Sequence, residues 1–301
     1  MTPKKYLTFL ISWMILLLVL IAATVIFFDP FSFFGEKTNP KDDNSARIPV
    51  LMYHHFRLED DAYPGTMISG ETFERQVKAL SDAGYTAVSF EELVDYVSGG
   101  ASLPKNPLVI TIDDGYLSVY EVAFPILKKY NMPATVFIIG VSHGKSYYKD
   151  TDHEILPHFN DAQALEMAQS GYMSIQSHSY DMHQHQLYEE GPYREGILQM
   201  EGESDDGYIA AFIADFERAA AQIEAITGTR PFVFSYPYGL LNDQSDQLLS
   251  DMGVKATLTV DEGVNTVVRG SPETLFRLNR LNVTGDMTPQ DLLKMIENGR
   301  R

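Results

Sequence analysis

Two adjacent acids close an apolar run in the segment 109-VITIDDGY-116. Val109 to Ile112 read as a buried strand, and Asp113 and Asp114 fall at its end, beside Gly115. Consecutive residues leaving a strand point in different directions, so the two carboxylates need not share a task. A second segment, 178-HSYDMH-183, carries two imidazoles five residues apart. Asp114, His178 and His183 together offer one carboxylate and two imidazoles, a set that leaves a coordination position open, as catalytic zinc sites do. Residues four apart would share a helix face; five apart, they reach one ion only from a loop or irregular turn, which Ser179 and Asp181 favour. Asp113, near the ion without ligating it, could act as general base on a water acidified by that ion. Plainer readings stand beside these: a turn-forming acid pair before glycine, and a solvated histidine-rich loop running on to Gln184 and His185.

Such groups need a scaffold that carries strand ends to one place. From Ile48 onward strand-like and helix-like segments alternate, which implies a parallel α/β sheet, closed or open. Phe73, Val77 and Leu80 have helical spacing before Gly84; Val122, Ala123, Ile126 and Leu127 form a second apolar stripe. The run 161–171 reads as a helix capped by Asp161, and a long helix is expected over about 208–227. In such folds chemistry sits at the carboxyl ends of the strands. Four polar clusters fall there: His54-His55 after 49-PVLMY-53, Asp113-Asp114 after 108-LVITI-112, His178 after 173-MSIQS-177, and Tyr238-Gly239 after 232-FVFSY-236. Four strand ends carrying polar groups suggest a single mouth.

Composition narrows the partners. The formal charge of −18 argues against nucleic acid, whose phosphates would be repelled. There is no cysteine, which excludes disulfides, thiolate metal sites, a cysteine nucleophile and lipid attachment at cysteine. Lys4 and Lys5 precede an uncharged run from Tyr6 to Phe28, long enough to span a bilayer as a helix. The bulky residues Val25 to Phe28 at its exit do not suit signal cleavage, so the run is read as an uncleaved anchor. The lysines then stay in the cytoplasm and the rest lies outside. The chain divides into a cytoplasmic tip (1–5), a transmembrane signal anchor (6–28), a flexible linker rich in polar residues, proline and glycine (29–46) and one domain (47–301).

The segment 111-TIDDG-115, the histidines of 178-HSYDMH-183 and the turn 236-YPYG-239 resemble the polysaccharide deacetylases of the NodB-homology type, carbohydrate esterase family 4. The resemblance covers about residues 47–301 and includes 124-FPILKKYNMPATVFIIG-140. It implies a distorted (β/α) barrel with parallel strands, and a hydrolase that releases acetate from N-acetylglucosamine units of a polysaccharide. Asp113 is then the base, and Asp114, His178 and His183 hold a divalent metal, zinc first, with cobalt or nickel as alternatives. The backbone N–H of Tyr238 becomes the oxyanion donor.

Two departures refine the resemblance. Most members space the histidines four apart and carry the acid histidine in a leucine-rich C-terminal segment, whereas 278-LNRLNV-283 has none. Most also hold the base with Arg-x-Pro-Tyr, whereas 235-SYPYG-239 puts Ser235 or Tyr236 near that place. Both departures resemble the subgroup acting on poly-N-acetylglucosamine of biofilm matrix, whose domain is permuted and whose acid histidine follows an N-terminal tyrosine. In 52-MYHHF-56 that residue is His54, with His55 the alternative, and Arg280 is a candidate for the missing arginine. The expected protein is a membrane-anchored, extracytoplasmic enzyme. Peptidoglycan as substrate, or a non-catalytic glycan-binding module, are the alternatives.

Overall fold

The computed structural model describes residues 44–57, 65–189 and 191–299. The expected cytoplasmic tip, the expected anchor over 6–28 and the expected linker up to residue 43 lie outside the described residues. Among the described residues, no helix is long and apolar enough to cross a membrane.

The first strand, β1 (Ser45–Tyr53), begins inside the stretch read as linker. Then come β2 (His55–Arg57), β3 (Met67–Ser69), α1 (Gly70–Asp82), β4 (Thr86–Ala87), α2 (Phe90–Val97) and β5 (Pro107–Ile112). A π-helical turn, Val119–Ala123, runs into α3 (Phe124–Lys129), followed by β6 (Ala134–Ile138), α4 (Asp161–Gln169) and β7 (Met173–Ser177). The chain continues through α5 (Asp205–Thr227), β8 (Val233–Ser235), a 3-10 turn (Pro237–Gly239) and α6 (Ser245–Asp251). It ends with β9 (Ala256–Leu258), β10 (Val264–Val268), β11 (Leu281–Asn282) and α7 (Pro289–Asn298).

Helix starts follow local capping chemistry. Ser89 and Glu92 close a capping box on α2; Ser204 caps α5 through the Gly207 N–H. For α4 the cap is Asn160, which exchanges bonds with Gln163, rather than the expected Asp161. The side-chain oxygen must come from the last non-helical residue, and Asn160 is the extended one.

The main sheet has the order β10-β1-β5-β6-β7-β8-β9 and is parallel except where β10 pairs β1 antiparallel. Strand–helix alternation did not reveal β10, which enters without a preceding helix. The sheet curls strongly. Leu278 donates to the Thr257 carbonyl of β9 and accepts from the Thr259 N–H, while Leu281, three residues later, pairs Leu51 of β1. The short segment 278–282 therefore touches both β9 and β1 and sets Arg280 between them.

Both faces of the central strands are covered, which is why they read as continuous apolar runs. Leu51 and Tyr53 of β1 pack with Ile110, Ile112, Val136 and Ile138 against Phe73, Val77 and Leu80 of α1. Ile48 and Val50, pointing the other way, pack with Val109, Phe137, Val233 and Leu258. Each of these fully buried side chains contributes about 1.5–3 kcal/mol. A charge at Val77 would oppose the docking of α1 on the sheet. Register matters because a one-residue slip of β5 would turn Asp113 into Asp114's direction.

Candidate active site

Asp113 and Asp114 leave β5 in different directions. The Asp113 N–H still donates to the Tyr53 carbonyl, so its backbone belongs to the sheet. Asp114 then takes a left-handed conformation (φ 73°), followed by Gly115 at φ 83°. Asp tolerates this region better than most residues, and both carboxylates stay near His178, with Asp113 Oδ2 3.8 Å from its Nε2. Glycine is required next: besides the positive φ, an added Cβ would meet Ile138 Cγ2 at 3.0 Å.

Asp113 is buried (2% exposed) and its Oδ1 accepts from Nη1 of Arg280 at 2.8 Å. Arg280 is itself fully buried, and its Nε donates to the Thr259 carbonyl at 2.7 Å. The Ser235 hydroxyl approaches Asp113 Oδ2 at 3.4 Å. Burial alone would raise the Asp113 carboxyl; the charges of Arg280 and His178, with the Arg280 hydrogen bond and His54, outweigh it and hold it well below the usual carboxylate range. Asp113 is thus an ionised, oriented acceptor. The arginine paired with Asp113 thus comes from 278-LNRLNV-283 and not from 235-SYPYG-239. Tyr236 does not pair with Asp113, because its hydroxyl turns to Ser245 and Asp246.

His178 leaves β7 with its N–H on the Ile138 carbonyl. Its Nδ1 lies 2.7 Å from the Ser235 carbonyl, which can only accept. Nδ1 therefore carries a proton, and Nε2 is the ring atom turned toward Asp114. Asp114 Oδ1 lies 3.7 Å from Nε2 of His178 and 3.7 Å from Nε2 of His183. These separations exceed a hydrogen bond. They approach the edge, about 3.4 Å, of a tetrahedron whose corners lie ~2.0–2.1 Å from a central ion. One ligand atom from each of Asp114, His178 and His183 lies within 4.8 Å of the others, the sole such cluster of three among the described residues. Burial, then the charge of His178, lower the His183 pKa to about 4, so its imidazole is neutral near pH 7, as a ligand must be. Donor set, spacing and protonation all fit a divalent ion.

The two adjacent histidines differ. The Nδ1 of His55 lies 3.0 Å from the Ser118 hydroxyl and its ring meets Tyr116 edge-on, so it is tied into the wall. Burial, then the charge of Arg57, lower its pKa. The Nδ1 of His54 is buried without a hydrogen-bond partner. A positive charge on His54 lowers the pKa of both Asp113 and Asp114, so its ring lies within electrostatic reach of the pair.

Tyr238 sits in the turn after β8 with φ 57°. Its ring packs 4.3 Å from that of His183 and its hydroxyl donates to the Gln184 carbonyl at 2.9 Å. Burial, then the charge of Asp114, push the phenol up to about 12, so it stays protonated. Tyr238 joins Asp114, Tyr116, Tyr148, His158, His183 and others around a cleft of about 580 Å³. Tyr116 was not foreseen, although it stands two residues beyond Asp114; Tyr148 lines the cleft, while Phe159 is core. A separate depression of about 410 Å³ lies around Ala134, Met173 and Thr229, at the opposite ends of the strands from these acids and imidazoles.

Residues 100–257 match a family described as polysaccharide deacetylase, over more than half of the chain. His54 and Arg280 lie on either side of the matched segment. A protein of Bacillus subtilis, YxkH, named for the same family, is 26% identical over 248 residues, covering 82% of this chain and 75% of that one. The poly-beta-1,6-N-acetyl-D-glucosamine N-deacetylase of Staphylococcus epidermidis is 25% identical over 260 residues, covering 81% of each. The structure of IcaB from Ammonifex degensii superimposes with a TM-score of 0.65 at 26% identity, over 83% of this chain and 97% of that one.

Proposed function

The chain belongs to the polysaccharide deacetylase family, whose members hydrolyse amide bonds, and on that premise we propose that it removes acetyl groups from N-acetylglucosamine units of an extracellular poly-β-1,6-N-acetylglucosamine. The observation that carries the proposal is the convergence of Asp114, His178 and His183 beside an Asp113 held by Arg280. The substrate follows the Staphylococcus epidermidis relative and the five-residue histidine spacing.

In this reading Asp114, His178 and His183 hold a divalent ion, zinc first, which when bound lowers the pKa of water and polarises the acetamide carbonyl. Asp113, ionised and fixed by Arg280, removes a proton from the water as its oxygen forms the new bond to the carbonyl carbon. The Tyr238 N–H stabilises the negative charge that develops on the carbonyl oxygen. His54 gives a proton to the nitrogen as the carbon–nitrogen bond breaks, because an amide nitrogen is otherwise a poor leaving group. Acetate and a glucosamine unit result. The phenols of Tyr116, Tyr148 and Tyr238 offer the cleft rings and hydroxyls that suit a sugar. We place the domain outside the cytoplasm, tethered by the apolar run 6–28.

Acetate release by the purified chain, measured with β-1,6-linked N-acetylglucosamine oligomers and with peptidoglycan, with and without chelator, tests this. Chelator-sensitive release from the oligomers is expected. Release from peptidoglycan alone would assign the other substrate, and binding of either glycan without release would reduce the protein to a glycan-binding module. Retention of Lys4 at the mature N-terminus would support the anchor, and its loss would remove it.

A further inference from the structure

The loop joining His178 to His183 has its backbone donors accounted for one by one. Ser179, at φ 70°, donates its N–H to the Ser177 hydroxyl at 3.3 Å. Tyr180 N–H goes to Oδ2 of Asp215 at 2.8 Å, and Asp181 N–H to Oδ1 of the same carboxylate at 2.7 Å. Met182 N–H goes to the Ser179 hydroxyl at 3.2 Å. The carbonyls of Ser179 and Tyr180 accept from Gly140 and Val141, on the loop after β6. A single side chain on α5 therefore takes both central N–H groups of a loop that no strand or helix would otherwise satisfy.

Other residues of the same helix lean the same way. The Arg218 guanidinium lies 3.9 Å from the Tyr180 ring centroid, and Gln222 Nε2 donates to the Gly140 carbonyl at 3.2 Å. Asp215, Arg218 and Gln222 stand at i, i+3 and i+7, on one face of α5, beside the buried apolar stripe of Phe212, Phe216, Ala219 and Ile223. A Cβ on Gly140 would come within 2.5 Å of the Tyr180 ring, so the two loops are packed without slack.

We propose that Asp215 is the positioning residue of the metal centre: its carboxylate clamps the Tyr180 and Asp181 amides and so fixes the irregular loop that lets histidines five residues apart face one ion. The proposal rests on the metal-site reading given above. Asp215 touches neither ion nor substrate; it acts through the loop. A helix would satisfy these amides internally and would carry His183 past the face of His178. With the clamp, the turn is held by two charge-assisted bonds to one rigid element.

The test compares wild type with Asp215→Ala, Asp215→Asn and, as a control on the same helix, Glu217→Ala. Zinc affinity is measured by competition with a chromophoric chelator, and amide hydrogen exchange is read at Tyr180 and Asp181. Asp215→Ala should bind zinc about 10–100-fold more weakly, the range seen when groups orienting metal ligands are removed. Both amides should exchange faster while those of β5 stay protected. Asp215→Asn keeps one acceptor oxygen, so it should lose less affinity and protect one amide more than the other. Glu217→Ala should match wild type. Unchanged zinc affinity and unchanged exchange in Asp215→Ala would overturn the proposal, and so would loss of protection throughout the sheet in both Asp215 variants, which marks a general folding role. If wild type itself binds no divalent ion, the metal-site reading falls, and the exchange of Tyr180 and Asp181 in the variants still decides whether the clamp exists.

Discussion

At the end of β5, Asp113 and Asp114 are set by their immediate neighbours: an apolar strand, a left-handed Asp114 and a glycine that must pass Ile138. At the end of β7, His178 and His183 are set by residues far away in sequence. Ser235 fixes the His178 tautomer, Ile138 and Gly140 hold the backbone, and Asp215 takes the loop amides. The backbone turn of the first half is built by local chemistry and that of the second by tertiary contacts, although the Asp113 side chain also draws on the distant Arg280. Local construction tolerates distant substitutions, whereas tertiary construction exposes the site to changes on helices that never approach substrate.

The ligands of both halves should matter equally. Asp114→Ala and His178→Ala are each expected to abolish zinc retention and to reduce acetate release at least about 1,000-fold. Metal content measured beside rate checks this, and a zinc-free His178→Ala that still turned over at the wild-type rate would separate the halves. His54→Ala should lower kcat by about 100–10,000-fold, the usual weight of a general acid. His55→Ala should lower it far less, since that ring is bound to Ser118 and Tyr116. Equal losses would end the assignment of His54.

Arg280 tests how far the local half is truly local. Arg280→Met leaves the buried Asp113 carboxylate without its ion pair, and a loss of about 3–5 kcal/mol is expected in denaturant unfolding. A small loss would mean that Ser235 and the strand suffice to hold Asp113. The smallest effect is one of pH, and it concerns the other half. Burial raises the Asp215 carboxyl from 3.8 to about 6, against the pull of the Asp181 and Tyr180 amides. The folded state thus holds this proton more tightly than the unfolded chain does. The resulting stabilisation is full below about pH 4 and is lost as pH rises through 6. Asp215→Asn lacks it. The stability gap between wild type and Asp215→Asn, measured by thermal melts of the chelated proteins, should shift in favour of the variant by up to about 3 kcal/mol from pH 4 to pH 7. A gap independent of pH would contradict the burial of that carboxylate.

The same contrast explains what could be read from the sequence. β5 and β7 were legible because both faces of these strands are buried, so they appear as unbroken apolar runs with polar residues at their ends. Strand geometry alone showed that Asp113 and Asp114 need not share a role. The grouping of His178 with His183 was a matter of residue type, and Ser179 and Asp181 between them favoured an irregular turn without showing what holds it. Asp215 is one acid among many on a long amphipathic helix, and only the path of the chain aims it at Tyr180 and Asp181. Arg280 could be suspected from its place near a strand end; its bond to Asp113 depends on the closure of 278–282 between β9 and β1. The antiparallel β10 and the cleft residue Tyr116 were missed, the first because it follows no helix and the second because a tyrosine after a turn is ordinary.

The account turns on separate duties for two neighbouring carboxylates. The most direct test is zinc stoichiometry and acetate release measured on one preparation of Asp113→Asn. The account predicts one zinc per chain, bound as tightly as in wild type, with acetate release down by at least about 100-fold. An Asp113→Asn protein that lost its zinc, or that kept both its zinc and its full rate, would contradict it.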